Sequence, residues 1–270
     1  MDKETAKKLI PAPIWRFGSN VYWAWYNRGQ HVLTRTFSTR WRQSLVQLEK
    51  YRDIHKGERC FIVGNGPSLR NTDLSQIKNE YTFGLNRIFL AFSEIGFPTS
   101  FLVSVNDLMA QQSAEEMKQL NLPKFLTWRV HKWFQDDPNV IFLDTDYTGE
   151  ENFNGNAAGR LFEGFTVTYV AMQLAFFMGF QQVILIGVDH NFIQQGPPNQ
   201  TTVSSGNDPN HFIPNYFGKG FKWQYADLEG NERAYRMAHA AYNQAGRSIV
   251  DATVGGKLTV FPKVDYNSLF

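Results

Sequence analysis

RCFIVGNGPSL, residues 59–69, is the stretch from which the fold can be predicted. It contains Cys60–Val63, a short apolar and β-branched run of the kind that forms a buried strand. The run leads directly into Gly64-Asn65-Gly66, where the missing Cβ atoms allow a sharp turn and the close approach of a ligand. A strand that ends in such a turn leaves backbone N–H groups free to meet an anion at the carboxyl edge of a sheet. We therefore interpret the stretch as a nucleotide-binding turn, with Ser68 as a further contact.

The simplest alternative is an ordinary turn between a strand and a helix. The stretch matches neither Gly-x-Gly-x-x-Gly nor a Walker loop, because no Gly-Lys-Ser/Thr follows it. The rest of the chain must decide between the two interpretations.

Short apolar runs alternate with helical patterns along the rest of the chain. The predicted strands after Cys60–Val63 are Tyr81–Leu85, Ser100–Val105, Lys124–Trp128, Val140–Leu143, Val183–Ile186 and Ser248–Ala252. The predicted helices are residues 113–120, Phe165–Gly179 and Glu232–Ala245, while residues 149–164 and 193–222 are expected to be loops. This alternation predicts an α/β, Rossmann-like open and mostly parallel sheet with helices on both faces, preceded by an N-terminal helical extension.

The composition predicts two regions that differ in charge. Residues 1–59 hold 12 lysines and arginines against 5 acidic residues, although the net charge of the whole chain is only +2. We predict a basic, aromatic-rich helical extension at residues 1–57 and a catalytic domain at 58–270, with a lid loop near 193–222. Basic residues interleaved with Trp and Tyr suit a membrane surface, and the alternative is an extension packed on the domain or on a second subunit of a homo-oligomer.

The cysteine count and the hydropathy of the chain favour a cytoplasmic protein. It would be peripheral at the inner face of the membrane if the extension binds lipid. The single cysteine, Cys60, excludes an intramolecular disulfide, and no apolar run is long enough to span a bilayer. The N-terminal residues are not expected to act as a signal peptide, because residues 1–8 are charged and no uninterrupted apolar core follows them. The region after residue 59 is net acidic, so we do not expect nucleic-acid binding.

Four of the predicted strands end in the same kind of residue. Asn65, Asn86, Asn106 and Asp189 each follow a strand at its carboxyl end, and Gly187 precedes Asp189. In an open parallel sheet these ends face one ligand-binding edge. Because an amide offers both a donor and an acceptor, such a group can bind a nucleotide without adding charge, whereas any single asparagine here could be a turn residue.

The GNGPSL turn, the spacing to the two later asparagines, and residues 187–189 and 207–212 resemble two related families. One is glycosyltransferase family 42, the bacterial sialyltransferases, and the other is the MptE-like 6-hydroxymethylpterin diphosphokinase domain. The resemblance covers roughly residues 58–262 and leaves the first 55 residues outside it. The Asn-Asp-x-Asn/Ser-His-aromatic piece and the glycine turn are its specific parts.

The sialyltransferase resemblance implies a role for each candidate residue. His211 would be the general base that deprotonates an acceptor hydroxyl, and Asp208 would orient its imidazole. Tyr216, Lys219 and Lys222 would neutralise the departing phosphate from a mobile lid. The sialyltransferases carry two tyrosines shortly after the Gly-x-Asp strand, and residues 189–193 of this chain contain none.

Three functions remain open at this stage. The first is a glycosyltransferase that uses a CMP-activated acidic sugar and a glycan or lipid-linked acceptor, with no tightly bound cofactor and no metal. The second is a diphosphokinase that uses ATP and Mg²⁺. The third is a nucleotide-binding accessory protein without catalysis. A metal site formed by His190 with Asp189, Asp208 and His211 is the less favoured alternative for these side chains.

Overall fold

We analysed a computed structural model of the chain, which describes residues 35–193, 196–206 and 208–270. The chain divides into two compact units, residues 1–42 and 43–270. The predicted extension lies largely outside the described residues, so its boundary at residue 57 stays a prediction. Within the described ranges, no helix has both the length and the hydrophobicity needed to cross a bilayer.

In the described part of the chain, ten strands and six α-helices carry the fold. The strands are β1 Arg59–Val63, β2 Tyr81–Leu85, β3 Phe101–Ser104, β4 Lys124–Thr127, β5 Val140–Asp146, β6 Arg160–Phe162, β7 Gln182–Ile186, β8 Thr201–Val203, β9 Lys222–Gln224 and β10 Ser248–Asp251. The helices are α1 Thr39–Glu49, α2 Phe92–Ile95, α3 Asp107–Gln112, α4 Ala114–Lys118, α5 Val167–Phe177 and α6 Leu228–Gln244. Short 3₁₀ turns connect several of them, including one at Pro67–Asn71 directly after the glycine turn.

Eight of the strands form one sheet in the order β10-β7-β1-β2-β3-β4-β5-β6, and every neighbouring pair is parallel. This arrangement, with helices flanking the sheet, confirms the predicted Rossmann-like α/β class. From β1 the chain proceeds outward to β6 and then returns to the opposite side of β1 at β7. Open α/β sheets bind ligands where the strand order reverses in this way, so the loops after β1 and β7 mark the expected site.

The main hydrophobic core lies between one face of the sheet and the two long helices. Alternate strand residues, such as Ile62, Phe83 and Leu185, are buried in it because successive side chains of a strand point to opposite faces. Helix α5 is buried on nearly all sides, and its small residues Ala171 and Ala175 allow close packing.

The structure differs from the sequence prediction in two loops. Residues 149–164 contain β6, which pairs with β5 through only three residues. Residues 193–222 contain β8, and β8 pairs with β9 in an antiparallel two-stranded ribbon. β6, β8 and β9 are each only three residues long, which is too short to leave a periodic signal in the sequence.

Helix α6 begins at Leu228, one turn before the predicted start at Glu232. The Asp227 carboxylate accepts a hydrogen bond from the Gly230 N–H at 2.8 Å, which satisfies a free donor of the first turn. Because Asp227 caps the helix, its first turn includes Gly230 and Asn231 even though both are poor helix formers.

Candidate functional site

The loops after β1 and β7 contact each other through their backbones. The Gly64 N–H donates to the Ile186 carbonyl at 2.8 Å, and the Gly66 N–H donates to the Gly187 carbonyl at 2.9 Å. A Cβ on Gly64 would lie 2.2 Å from the Gly187 oxygen, a separation no side chain can adopt. Gly187 itself has a φ of +68°, which favours glycine. These three glycines therefore allow the two loops to pack together.

Asp189 and Ser68 bind each other at this junction. The Ser68 N–H donates to one Asp189 carboxylate oxygen at 3.0 Å, and the Ser68 hydroxyl donates to the other at 2.6 Å. A Cβ on Gly66 would lie 1.9 Å from that carboxylate. Asp189 thus holds the first turn after β1, and two residues expected to contact a nucleotide are joined to each other.

Asn65 lies between the ends of β1 and β2. Its amide nitrogen donates to the Leu85 carbonyl at 2.9 Å, and its backbone carbonyl accepts from the Phe212 N–H at 2.9 Å. Its side-chain oxygen Oδ1 is buried and has no hydrogen-bond partner among the described residues. A buried acceptor without a partner is costly, so this atom is suited to a donor group that a ligand would supply.

Asn86 and Asn106 follow the next two strands of the sheet. Asn86 has a φ of 51°, a left-handed conformation that asparagine tolerates, and its Oδ1 accepts from the Ser104 hydroxyl at 3.0 Å. The Oδ1 of Asn106 caps α3 by accepting from the Met109 N–H at 3.0 Å. The three asparagines therefore lie at consecutive strand ends, as predicted, and the second and third also have local structural roles.

His211 lies next to this row of asparagines because Phe212, its neighbour in the chain, is bonded to Asn65. The imidazole Nδ1 lies 2.8 Å from one carboxylate oxygen of Asp208 and 2.9 Å from the other. The other ring nitrogen, Nε2, has no hydrogen-bond partner among the described residues. The structure thus brings the predicted base and its orienting carboxylate to the strand-end site, which we define by Asn65, Asn86 and His211.

The charge of Asp208 is stabilised where it lies. Burial alone would raise the pKa of this carboxyl, but its hydrogen bond and charge interaction with His211 outweigh the burial and lower the pKa below 3.8. The Asn210 N–H donates to the same carboxylate at 3.1 Å and the Phe217 N–H at 3.3 Å. Asp208 is therefore an anion at neutral pH with its oxygens aimed at the imidazole.

Tyr216 packs flat against His211. The two ring centroids are 3.9 Å apart and the rings are inclined by 7°. The Tyr216 hydroxyl accepts from the Arg87 backbone N–H at 3.3 Å, and burial raises the pKa of this phenol. In this arrangement the tyrosine supports the imidazole.

Two arginines that the sequence analysis did not single out hold residues 208–221, which we call the histidine loop. Arg70 donates from Nε to the Phe212 carbonyl at 3.0 Å, and Arg87 donates from its guanidinium to the Tyr216 carbonyl. Each arginine follows a predicted site residue within a few positions, but local sequence does not show which groups an arginine side chain will contact. Neither position carried a signal of its own.

Lys219 lies on the segment that leads into β9, and Lys222 is the first residue of that strand. Both are exposed, and neither forms an ion pair with another described residue. The backbone of Lys222 exchanges two hydrogen bonds with the Gln112 side chain, at 2.8 and 2.9 Å, which attaches the ribbon to α3. Near them, Asn106 donates to the Gln224 side chain at 3.2 Å.

The structure separates the histidines that the metal alternative would bring together. His190 lies 3.1 Å from the Glu232 carboxylate of α6, while Asp189 binds Ser68 and Asp208 binds His211. Across the described ranges, no three His, Cys, Asp or Glu side chains form a group that could hold a metal ion.

The fold and the site define a class of protein: an open α/β protein whose candidate ligand site is at the carboxyl edge of its sheet, beside a histidine–aspartate pair. The 6-hydroxymethylpterin diphosphokinase MptE-like family matches residues 36–195, and the chain belongs to this family. The matched range includes the glycine turn and residues 187–189 but ends before His211. The family match therefore covers most of the sheet and the loops after β1 and β7, and it does not reach the histidine loop.

The MAf glycosyltransferase from Magnetospirillum magneticum AMB-1 has a similar fold. The similarity covers 84% of this chain and 38% of that chain, with a TM-score of 0.50 and 16% sequence identity. This chain thus corresponds to well under half of that protein, and the likeness concerns the fold. No curated protein matches the sequence at a significant level.

Proposed function

We propose that this protein is a nucleotide-dependent transferase in which His211 deprotonates the hydroxyl group of an acceptor. One observation carries the proposal: the Phe212–Asn65 hydrogen bond holds the Asp208–His211 pair beside the strand-end asparagines. Both transferase functions considered above need a base next to a bound nucleotide. The family name and the name of the structural neighbour both denote transferases.

The histidine–aspartate pair is arranged as in enzymes that activate a hydroxyl. With Asp208 accepting at Nδ1, the favoured tautomer carries its proton there, and Nε2 then has a free lone pair. A base positioned in this way contributes typically about 10²–10⁴-fold to a rate. After the proton transfer, Asp208 stabilises the imidazolium.

The nucleotide would bind along the strand ends beneath this base. Asn65 Oδ1 is a buried acceptor without a described partner, and an amino or hydroxyl group of a nucleotide would satisfy it. Asn86 and Asn106 extend the row of polar groups across β2 and β3. Their amides can bind a base edge or a ribose without adding charge.

For the donor we propose a CMP-activated acidic sugar, transferred to a glycan or lipid-linked acceptor. The resemblance of GNGPSL and of residues 207–212 to the sialyltransferases supports this choice. The proton of the acceptor hydroxyl moves to His211 Nε2 as the oxygen forms a bond to the anomeric carbon. The bond from that carbon to the CMP phosphate oxygen breaks, and CMP leaves with the electron pair. Lys219 and Lys222, exposed near the site, would approach the departing phosphate if their segment closes.

The second candidate is a pterin diphosphokinase, and the family match over residues 36–195 favours it. The same base would then deprotonate a hydroxymethyl group. The two carboxylates at the site, Asp189 and Asp208, are already engaged by Ser68 and His211. The described residues therefore do not fit a magnesium site made by protein side chains alone, and Mg²⁺ would have to arrive bound to ATP.

A calorimetric titration with CMP, CTP, ATP and GTP, each with and without Mg²⁺, separates the candidates. We expect CMP to bind best without added metal, and Asn65→Ala to weaken it about tenfold, the effect of one lost hydrogen bond to a buried group. Binding of ATP alone, and only with Mg²⁺, would favour the diphosphokinase.

His211→Ala tests the catalytic role. We expect the rate of CMP release from a CMP-sugar to fall by about 10²–10⁴-fold, while the affinity for CMP changes little, since the base contacts the acceptor. His239→Ala, on α6, is the matched control and should keep the wild-type rate.

An unchanged rate in His211→Ala would remove His211 from the mechanism. If the wild-type protein binds CMP but turns over neither substrate pair, the accessory function replaces both enzymatic ones.

A further inference from the structure

Arg87 is the buried residue that joins the row of asparagines to the histidine loop. It directly follows Asn86, and its side chain is only 9% exposed. Its guanidinium donates to the Tyr216 carbonyl, while its backbone N–H donates to the Tyr216 hydroxyl at 3.3 Å. One residue of the sheet edge therefore holds Tyr216 at both its main chain and its side-chain tip.

Arg87 has two further side-chain contacts, one with Phe221 of the histidine loop and one with Glu116 of α4. Its guanidinium lies 4.7 Å from the centroid of the Phe221 ring, a cation–π contact that is strengthened by burial. Its partner on α4, Glu116, is 3.4 Å away and about half exposed. An ion pair whose acidic member is half exposed contributes little, so the histidine loop is the main partner of this cation.

Tyr216 in turn restricts the imidazole of His211. The stacked ring at 3.9 Å covers one face, and Phe217 contacts it edge-on at 4.9 Å and 77°. Asp208 holds Nδ1 from a third direction. These three contacts hold the imidazole in its orientation, and the stacked ring of Tyr216 is itself bonded to Arg87.

We infer that Arg87 is a positioning residue that fixes the direction of His211 Nε2 through Tyr216. The inference rests on the proposed role of His211 and adds the residue that aligns it. A displacement of a catalytic group by about 1 Å can cost on the order of 100-fold in rate.

The test compares Arg87→Met with the wild-type protein. Methionine keeps much of the buried apolar volume and removes every hydrogen bond of the guanidinium. We expect diethyl pyrocarbonate to modify His211 several-fold faster, read by mass spectrometry against His239 in the same sample. We also expect kcat to fall by about 10- to 100-fold with the nucleotide Kd unchanged. Glu116→Gln, which keeps Arg87, should leave both quantities as in the wild type.

Unchanged labelling of His211 in Arg87→Met would overturn the inference, and so would a lower nucleotide affinity with unchanged labelling, which would make Arg87 a ligand contact. The labelling does not require turnover. A protein that shows no transferase activity would thus contradict the proposed function and still decide the role of Arg87.

A second pair of variants applies if Arg87→Met does not fold. Tyr216→Phe keeps the ring that covers His211 and should label close to the wild-type rate. Tyr216→Leu removes the stacked ring and should label faster. Equal labelling of His211 in these two variants would contradict the proposed support.

Discussion

At the scale of single residues, the strand-end asparagines show why such positions are ambiguous in a sequence. Asn86 adopts a left-handed turn and Asn106 caps a helix, which are the ordinary uses of asparagine. Asn65 differs, because its Oδ1 is buried without a described partner and its carbonyl holds the histidine loop. Only the surroundings of each amide separate a turn residue from a ligand contact.

Asp208 gives a prediction at this scale. Its pKa is lowered in the folded protein, so its charge stabilises the fold above pH 3.8, and that stabilisation is lost as the pH falls through the lowered pKa. The free energy of unfolding should therefore differ more between wild type and Asp208→Asn at pH 7 than at a pH low enough to protonate Asp208 in the folded protein. Urea unfolding followed by circular dichroism at several pH values measures the difference.

The matched background for this measurement is His211→Ala. Because His211 is the main cause of the lowered pKa of Asp208, most of the pH-dependent difference should disappear in that background. A difference of equal size with and without His211 would show that the pair does not interact as described.

At the scale of elements, the packing of the two loops is enough to explain why residues 64 and 66 are glycines, whether or not a ligand binds there. The Cβ positions of Gly64 and Gly66 face Gly187 and Asp189 of the neighbouring loop. The turn after β1 and the turn after β7 therefore form one unit at the point where the strand order reverses. A ligand that binds there meets backbone already ordered by these contacts.

Gly66→Ala should push the turn after β1 away from the turn after β7. The added methyl group must displace the Asp189 carboxylate, and overpacking of this kind costs about 1–3 kcal/mol. We expect a lower Tm by calorimetry together with weaker nucleotide binding. Gly218→Ala is the matched control, since nothing lies within 4 Å of its Cβ position. Equal Tm values for the two variants would contradict the loop contact.

At the scale of the whole molecule, the strand-end site is assembled from distant parts of the chain. Asn65 is bonded to Phe212, and Arg87 is bonded to Tyr216, although long stretches of sequence separate the members of each pair. The parallel sheet places the ends of β1 and β2, and so Asn65 and Arg87, in neighbouring positions. Among the described residues, those that build the site lie after residue 63. The first 34 residues are not among the described ones and contribute only a sequence pattern.

A truncation that removes residues 1–34 follows from this division. These residues carry five lysines and arginines against two acids, interleaved with aromatic residues. We expect the shortened protein to bind CMP as the full chain does, and to co-sediment less with vesicles that contain anionic lipid. Equal co-sedimentation of the two proteins would contradict a membrane role for the extension, and a loss of CMP binding would place part of the site there.

The sequence alone determined the class of fold and the row of polar residues along one edge of the sheet. Each long buried strand is indicated by its own apolar run, and the ends of β1, β2, β3 and β7 are indicated by the Asn, Gly or Asp that follows within two residues, so short-range pattern was sufficient there. The family resemblance then singled out Asp208 and His211. Three-residue strands such as β6 and β8 could not be found, because their pairing depends on distant partners.

Only the tertiary structure decided how the histidine loop meets the sheet. The hydrogen bonds between Phe212 and Asn65 and between Arg87 and Tyr216 join segments that are far apart in the chain. Neither local sequence indicates which residue its partner will be. The same holds for the contact between Gly66 and Asp189. Such contacts arise from the common packing of many elements, and their free energies depend on geometry that no short stretch of sequence contains.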